Sequence, residues 1–403
     1  MRYLFIFIFS SFSICFPQFE KNLQLELILA QDGDTVLIEP GFFPMLGTIS
    51  IENKKNLTVK GSGISKSIIS FNTQISGTEG IKIKNCQNII FQDFSIQGYK
   101  QDAILFEKVN GIELRNLKIM LNQEKVEKND QNSLFLKNCT NFIIQDCLFK
   151  SAINCGLSIS ESINGVVKFS EFMKNSIGIK IINSSSIDIH SNNIFDNAGG
   201  IALMSLPDLS LPDAKKIRLF DNIIKDNNYK NKSKIDNSSY LVPSGSGIFL
   251  LAAENLEIFN NSIIDNKTFG ISILSYLITG LSTKDSQYSP YSSSIFIHDN
   301  ILRKRNKIPE LKNLIGRILF YKFFRNTPNI IYDGNINPVF LGKYDIQPDF
   351  RRICIVDNKG ASYINLNVKR NFKTWYKPYI VQYETDINEC FCVQKPLPQI
   401  NIN

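Results

Sequence analysis

The chain has 403 residues, of which 43% are hydrophobic and only 20% charged. That balance excludes a disordered polymer and leaves room for one elongated domain with a large core. The net charge of +8 is mild and its lysines are spread along the chain without any nucleic-acid motif, so no nucleic-acid partner is expected.

Residues 1–15 read as a secretory signal peptide: Arg2, an apolar run from Tyr3 to Phe9, then small residues at Ser11 and Ser13. The run is too short for a transmembrane span, and no other segment is apolar enough. Cys15 raises a lipoprotein anchor as the alternative, but Ile14 is bulky for that processing. The expectation is an exported protein, in the periplasm, the outer envelope or outside the cell.

Residues 19–50 read as an N-terminal cap. Helical spacing of Leu23, Leu25, Leu27 and Ile28 predicts a helix over Phe19–Gln31. It would cover the open end of a repeat array, where unpaired strands otherwise invite aggregation.

Residues 51–302 repeat. Short segments open with a small residue followed by an apolar one at Gly80, Ala103, Ser133, Gly156, Gly178, Gly200, Gly247 and Gly270. Each is followed by a polar turn, an Ile-x-Ile strand such as Ile187-Asp188-Ile189, and a third short apolar stretch. The shortest intervals are about 22 residues, and the long ones are a period plus an insert. Strict alternation puts one face in and one out. Three short strands per period predict an all-β right-handed parallel β-helix. Propeller blades need about 40 residues, and leucine-rich repeats need a fixed Leu scaffold.

Asn192, Asn222, Asn261 and Asn300 share one register after the Ile-x-Ile strand, with Asn116 and Asp93 expected at the same place. They predict a structural amide ladder. Cys86 and Cys139 sit at one turn position two repeats apart, too far for a bridge, and read as buried stacking residues.

Inserts fall at 123–132, 204–216, 228–245 and 276–293. The first and third precede a Gly-Ile strand and the other two follow one, so they predict two loop walls beside one sheet. The outward residues of that sheet would form a groove floor. Its early part carries Lys82, Lys84, Glu107, Phe135, Lys137 and Lys180; its later part (Ala202, Met204, Phe249, Leu251) is apolar. Lysines with an aromatic ring on an extended face suit an acidic polysaccharide. A second outward row, Lys168, His190, Phe220, Phe259 and His298, lies on the Ile-x-Ile strands.

Residues 303–403 break the pattern and read as a C-terminal cap, with a helix at Pro309–Phe324. Cys354 is a candidate disulfide partner for Cys390 or Cys392. Cys390-Phe391-Cys392 lacks the spacing of a haem or zinc motif, and the two histidines of the chain fall on distant repeats. No metal and no cofactor are expected.

Leu27–Thr35 (LILAQDGDT), Lys60–Gly63 (KGSG), Gly199–Leu209 (GGIALMSLPDL), Ser275–Gly280 (SYLITG), Pro290-Tyr291 and Arg352–Gly360 (RICIVDNKG) resemble a family of exported proteins with parallel β-helix repeats. The likeness covers nearly the whole chain after residue 15. It implies a right-handed β-helix, export and pairing with a second exported protein, and it carries over no catalytic residue. The Asp-Pro-His of mannuronan epimerases and the Asp-Asp and Gly-His of polygalacturonases are absent. The expected function is a secreted or envelope-associated binding or scaffold protein. The alternative is a lyase or epimerase on an acidic glycan, with Glu107 moving a proton and Lys137 and Lys180 neutralising a carboxylate.

Overall fold

Alternation along each repeat becomes inside and outside in the computed structural model, which describes residues 16–121, 131–342, 347–368 and 383–402. The signal peptide expected over residues 1–15 and most of the insert expected at 123–132 lie outside the described residues. The chain winds through three parallel sheets in turn. The first has eleven strands, from Thr35–Ile38 to Ile353–Val356; the second has ten strands, mostly of three residues; the third has eleven and contains the Gly-Ile segments. Register is maintained from coil to coil, as in Lys168↔His190↔Phe220↔Phe259↔His298.

Inward residues of all three sheets form one continuous apolar column. Ile179, Ile181, Ile187, Ile189 and Ile194, from a single coil, are all fully buried. β-Branched side chains fit this pleated surface, and each one buried contributes about 1.5–3 kcal/mol. The turn from the first to the second sheet is made by one residue near φ +50°, for example Ser191, Asp221, Asn260 and Asp299. Asn and Asp tolerate that left-handed conformation because their short side chains bond locally.

The next residue carries the ladder. Asn192, Asn222, Asn261 and Asn300 each donate Nδ2 to the Oδ1 of the amide one coil on, at 2.9–3.0 Å, ending on Asn358 at 2.8 Å. Asp93 and Asn116 do not belong to it. They occupy the left-handed position one residue earlier, bonded to each other in solvent at 2.7 Å. The ladder position in their coils holds buried Phe94 and Leu117. A second ladder, Asn175, Asn197, Asn227 and Asn266, runs along the corner between the second and third sheets at 2.9–3.1 Å. Each of its members lies five residues after the first ladder's position, a register visible in the sequence and not read there.

Helix α1, Phe16–Leu29, covers the first end, with Leu23 and Leu27 buried. Coils extend further than expected in both directions: Thr35–Ile38 already belongs to the first sheet, and Ile330–Tyr332, Ile353–Val356 and Tyr363–Asn365 complete the last turns. Helix α2, Leu314–Phe323, is shorter than the expected Pro309–Phe324 because Asn313 caps it, accepting from Ile315 N at 2.9 Å. The disulfide joins Cys354 to Cys392 with Cα atoms 5.0 Å apart, and Cys390 is a buried free thiol. Cys86 and Cys139 are buried thiols too, and burial pushes Cys139 up to about 12.

Candidate functional site: the outer face of the third sheet

Every long insertion leaves the solenoid at one of the two corners that flank the third sheet. Residues 228–245 and the segment bearing α2 sit between second-sheet and third-sheet strands; residues 205–214 and 275–292 sit between third-sheet and first-sheet strands. The corner between the first and second sheets holds no insertion longer than five residues among the described residues.

Over the early coils Leu105, Ser158 and Ser160 are buried, whereas Lys82, Lys84, Glu107, Phe135 and Lys137 are partly or fully exposed on the outer face. Two outward columns run along it: Ser50, Lys82, Leu105, Phe135, Ser158 and Glu52, Lys84, Glu107, Lys137, Ser160. Lys82, Lys84, Glu107, Phe135 and Lys137 thus share one patch three coils long. Lys84 Nζ lies 3.6 Å from Glu107, a partly exposed pair. Lys82 and Lys84 share one coil and Lys137 lies two coils on, about 10 Å away, with Glu107 between them and the half-buried Phe135 ring alongside.

Over the later coils the same columns are roofed. Ala202, Met204, Phe249, Leu251 and Leu274 form a second apolar core with Val242, Tyr276, Tyr288, Ile315, Ile318 and Leu319. Tyr288 ties the roof down by donating its hydroxyl to Ser205 O at 2.7 Å.

Lys180 falls under this roof, contrary to its expected place on the groove floor. It is 4% exposed, and its Nζ donates to Ser239 Oγ at 3.0 Å and Asn237 Oδ1 at 3.3 Å. Those partners sit in the 228–245 insert, nearly sixty residues away. A buried polar chain leads from there back to the open floor. Cys155 Sγ contacts Ser239 Oγ at 3.5 Å and Asn154 Oδ1 at 3.3 Å; Asn154 donates to Asn132 at 3.0 Å, and Asn132 to Asp102 Oδ1 at 2.8 Å. Burial pushes the Asp102 carboxyl up to about 6. Asp102, Asn132 and Cys155 fill one strand register, which was the available sequence signal for this cluster.

The second outward row lies on the first sheet as one ring stack. Successive centroids from His190 through Phe220 and Phe259 to His298 are 4.7, 5.0 and 5.2 Å apart. Burial lowers the His190 pKa. Burial also acts downward on His298, but its hydrogen bonds to Glu257 and Asp299 outweigh that and leave it raised. No cluster of three His, Cys, Asp or Glu among the described residues is placed to hold a metal ion. No helix among them is long and apolar enough to cross a membrane.

Three parallel sheets wound coil on coil, with one face walled by loops, define a right-handed parallel β-helix protein. The family model for the right-handed β-helix region matches residues 47–206 and 110–279, and the chain belongs to that family. Among solved structures it is similar to two mannuronan C-5 epimerase A-modules from Azotobacter vinelandii. AlgE6 matches at 12% identity and TM-score 0.54, over 78% of this chain and 75% of that one; AlgE4 matches at 13% and 0.50, over 81% and 86%. The Agl-KA catalytic domain matches at 14% and 0.53, over 80% and 60%. Identities this low speak for the fold alone. No curated protein sequence matches the chain.

Proposed function

We propose that this is an exported binding or scaffold protein that holds an acidic polysaccharide along the open part of its third sheet. The supporting observation is the three-coil patch of Lys82, Lys84 and Lys137 beside Phe135. An extended polymer would lay its carboxylates against the lysines while one ring face rests on Phe135. Fold neighbours named as mannuronan epimerases make mannuronan the first ligand to try. A second exported protein remains a proposed partner from the family resemblance.

The test is calorimetric titration with mannuronan oligomers. Replacing Lys82, Lys84 and Lys137 together by Ala is expected to weaken binding at least tenfold, and Phe135→Ala several-fold. Binding should weaken with added salt, as exposed charge pairs are screened. Unchanged affinity in the triple variant removes the reading.

The alternative, a lyase or epimerase, rests on Glu107 and Lys137 standing on adjacent coils. It predicts unsaturated products or inverted C-5 centres that vanish in Glu107→Gln. Lys180 takes no part, since the insert encloses it.

A further inference from the structure

The outer face of the first sheet carries one column that the proposed polysaccharide site does not use: Ile90, Glu113, Ile143, Val166, Asp188, Arg218, Glu257, Phe296, Cys354. The last dozen described residues lie along it in extended form, running from the disulfide at Cys392 back toward the early coils. Two carboxylates hold them. Leu397 N donates to Glu257 Oε2 at 2.9 Å, and Ile400 N donates to Asp188 Oδ2 at 3.1 Å. Both acids are buried, at 3% and 2% exposure. Both are also held on the sheet itself: Glu257 Oε1 with His298 at 3.2 Å, and Asp188 by the Arg218 fork, Nε to Oδ1 at 2.9 Å and Nη2 to Oδ2 at 2.6 Å. Arg218 also stacks on Phe220, 4.9 Å from the ring centre.

The spacing is matched. Glu257 and Asp188 are two coils apart, about 10 Å. Three residues of polyproline-like chain cover about 9 Å, and Leu397 to Ile400 is three residues. The segment is suited to this. Pro396 and Pro398 keep it extended and remove two backbone donors, and residues 394–402 contain no acid to oppose the carboxylates. Leu397, Ile400 and Ile402 are the half-buried residues that complete the contact. Specificity therefore comes from main-chain N–H groups at a fixed interval, a mode open to any peptide of that shape. Beyond Ile402 the column continues as an open cleft floored by Ile143, Glu113 and Ile90.

We infer that this column is a groove for extended, proline-containing, acid-free peptide segments, filled in cis by the protein's own tail and able to take such a segment of a partner protein. The tail is the tethered resident, and the disulfide holds it at high local concentration.

A variant ending at Val393 keeps the Cys354–Cys392 bridge and empties the groove. A fluorescent peptide of residues 394–402 is expected to bind it saturably, and to bind the full-length chain at least tenfold more weakly. N-methylation of Leu397 and Ile400 in the peptide, or Asp188→Asn with Glu257→Gln in the protein, is expected to cut affinity at least tenfold. Absence of saturable binding by a truncated variant with wild-type circular dichroism overturns the inference, as does indifference to N-methylation. A truncated variant that does not fold leaves the readout to hydrogen exchange in the full chain. There, slow exchange at Leu397 and Ile400 that accelerates in the double variant supports the groove, and exchange as fast as at Gln399 overturns it.

Discussion

The first and second halves of the solenoid solve the same stacking problem with different chemistry. Early coils fill the ladder position with Phe94, Leu117 and Cys147 and leave part of the third sheet's outer face, from Lys82 to Lys137, to solvent. Later coils fill it with Asn192, Asn222, Asn261 and Asn300 and bury that face beneath loops and α2. Apolar corner residues make no directional demand, whereas each amide must meet the next. The later half is therefore the more tightly specified, and the early half is the part left free to face a ligand.

The sharpest way to break that contrast is Asn222→Ala. Its Oδ1 accepts from Asn192 N and Nδ2, and its Nδ2 donates to Ile189 O and Asn261. Leaving those buried groups unmet should cost about 4 kcal/mol in denaturant unfolding. Asn116→Gly, at the exposed left-handed position, should stay within about 0.5 kcal/mol. Next in size, Leu251→Ala under the roof should cost about 3 kcal/mol, against no more than about 0.5 kcal/mol for Lys137→Ala on the exposed floor; equal losses would mean that the roof does not pack.

Asp102 tests the seam between the halves. Its folded pKa of about 6 lies above the ordinary carboxylate value, so folding is disfavoured as pH rises through about 6, and the penalty is absent below about pH 4. Asp102→Asn should then raise stability at pH 8 by on the order of 2 kcal/mol, with the gain fading in melts below pH 4. A gain that persists at pH 3 would contradict the burial argument. The smallest effect is expected for Lys180→Met. It replaces a buried cation by an apolar chain of similar length and should shift stability by no more than about 1 kcal/mol. Loss of glycan binding in this variant would return Lys180 to the floor.

Much of the architecture was legible because alternation is local: Ile179-Lys180-Ile181 announces its inward and outward sides without any neighbour. The corners flanking the third sheet were legible too, since an insert declares its position by interrupting the period. What covers an outward residue is not local. Lys180 looked exposed because Ser239, which buries it, is 59 residues away. The tail was opaque for the same reason, with Ile400 meeting Asp188 across 212 residues. The ladder was read one residue out in the early coils because Asn and Asp serve two adjacent positions in the later ones, as in Asp221-Asn222, one for its backbone angle and one for its amide, and only the first survives at Asp93 and Asn116. The choice between Cys390 and Cys392 turned on two residues of reach that spacing does not encode.

The amide ladder also bears on how such a chain lengthens. Every rung passes its hydrogen bond in one direction and receives one from behind. A coil duplicated from within residues 192–300 would arrive with its own donor and acceptor and slot into the row. A coil copied from the Phe94 or Leu117 region and placed there would cut the row in two. The polar half is thus the part that tandem duplication can extend without disturbing its neighbours.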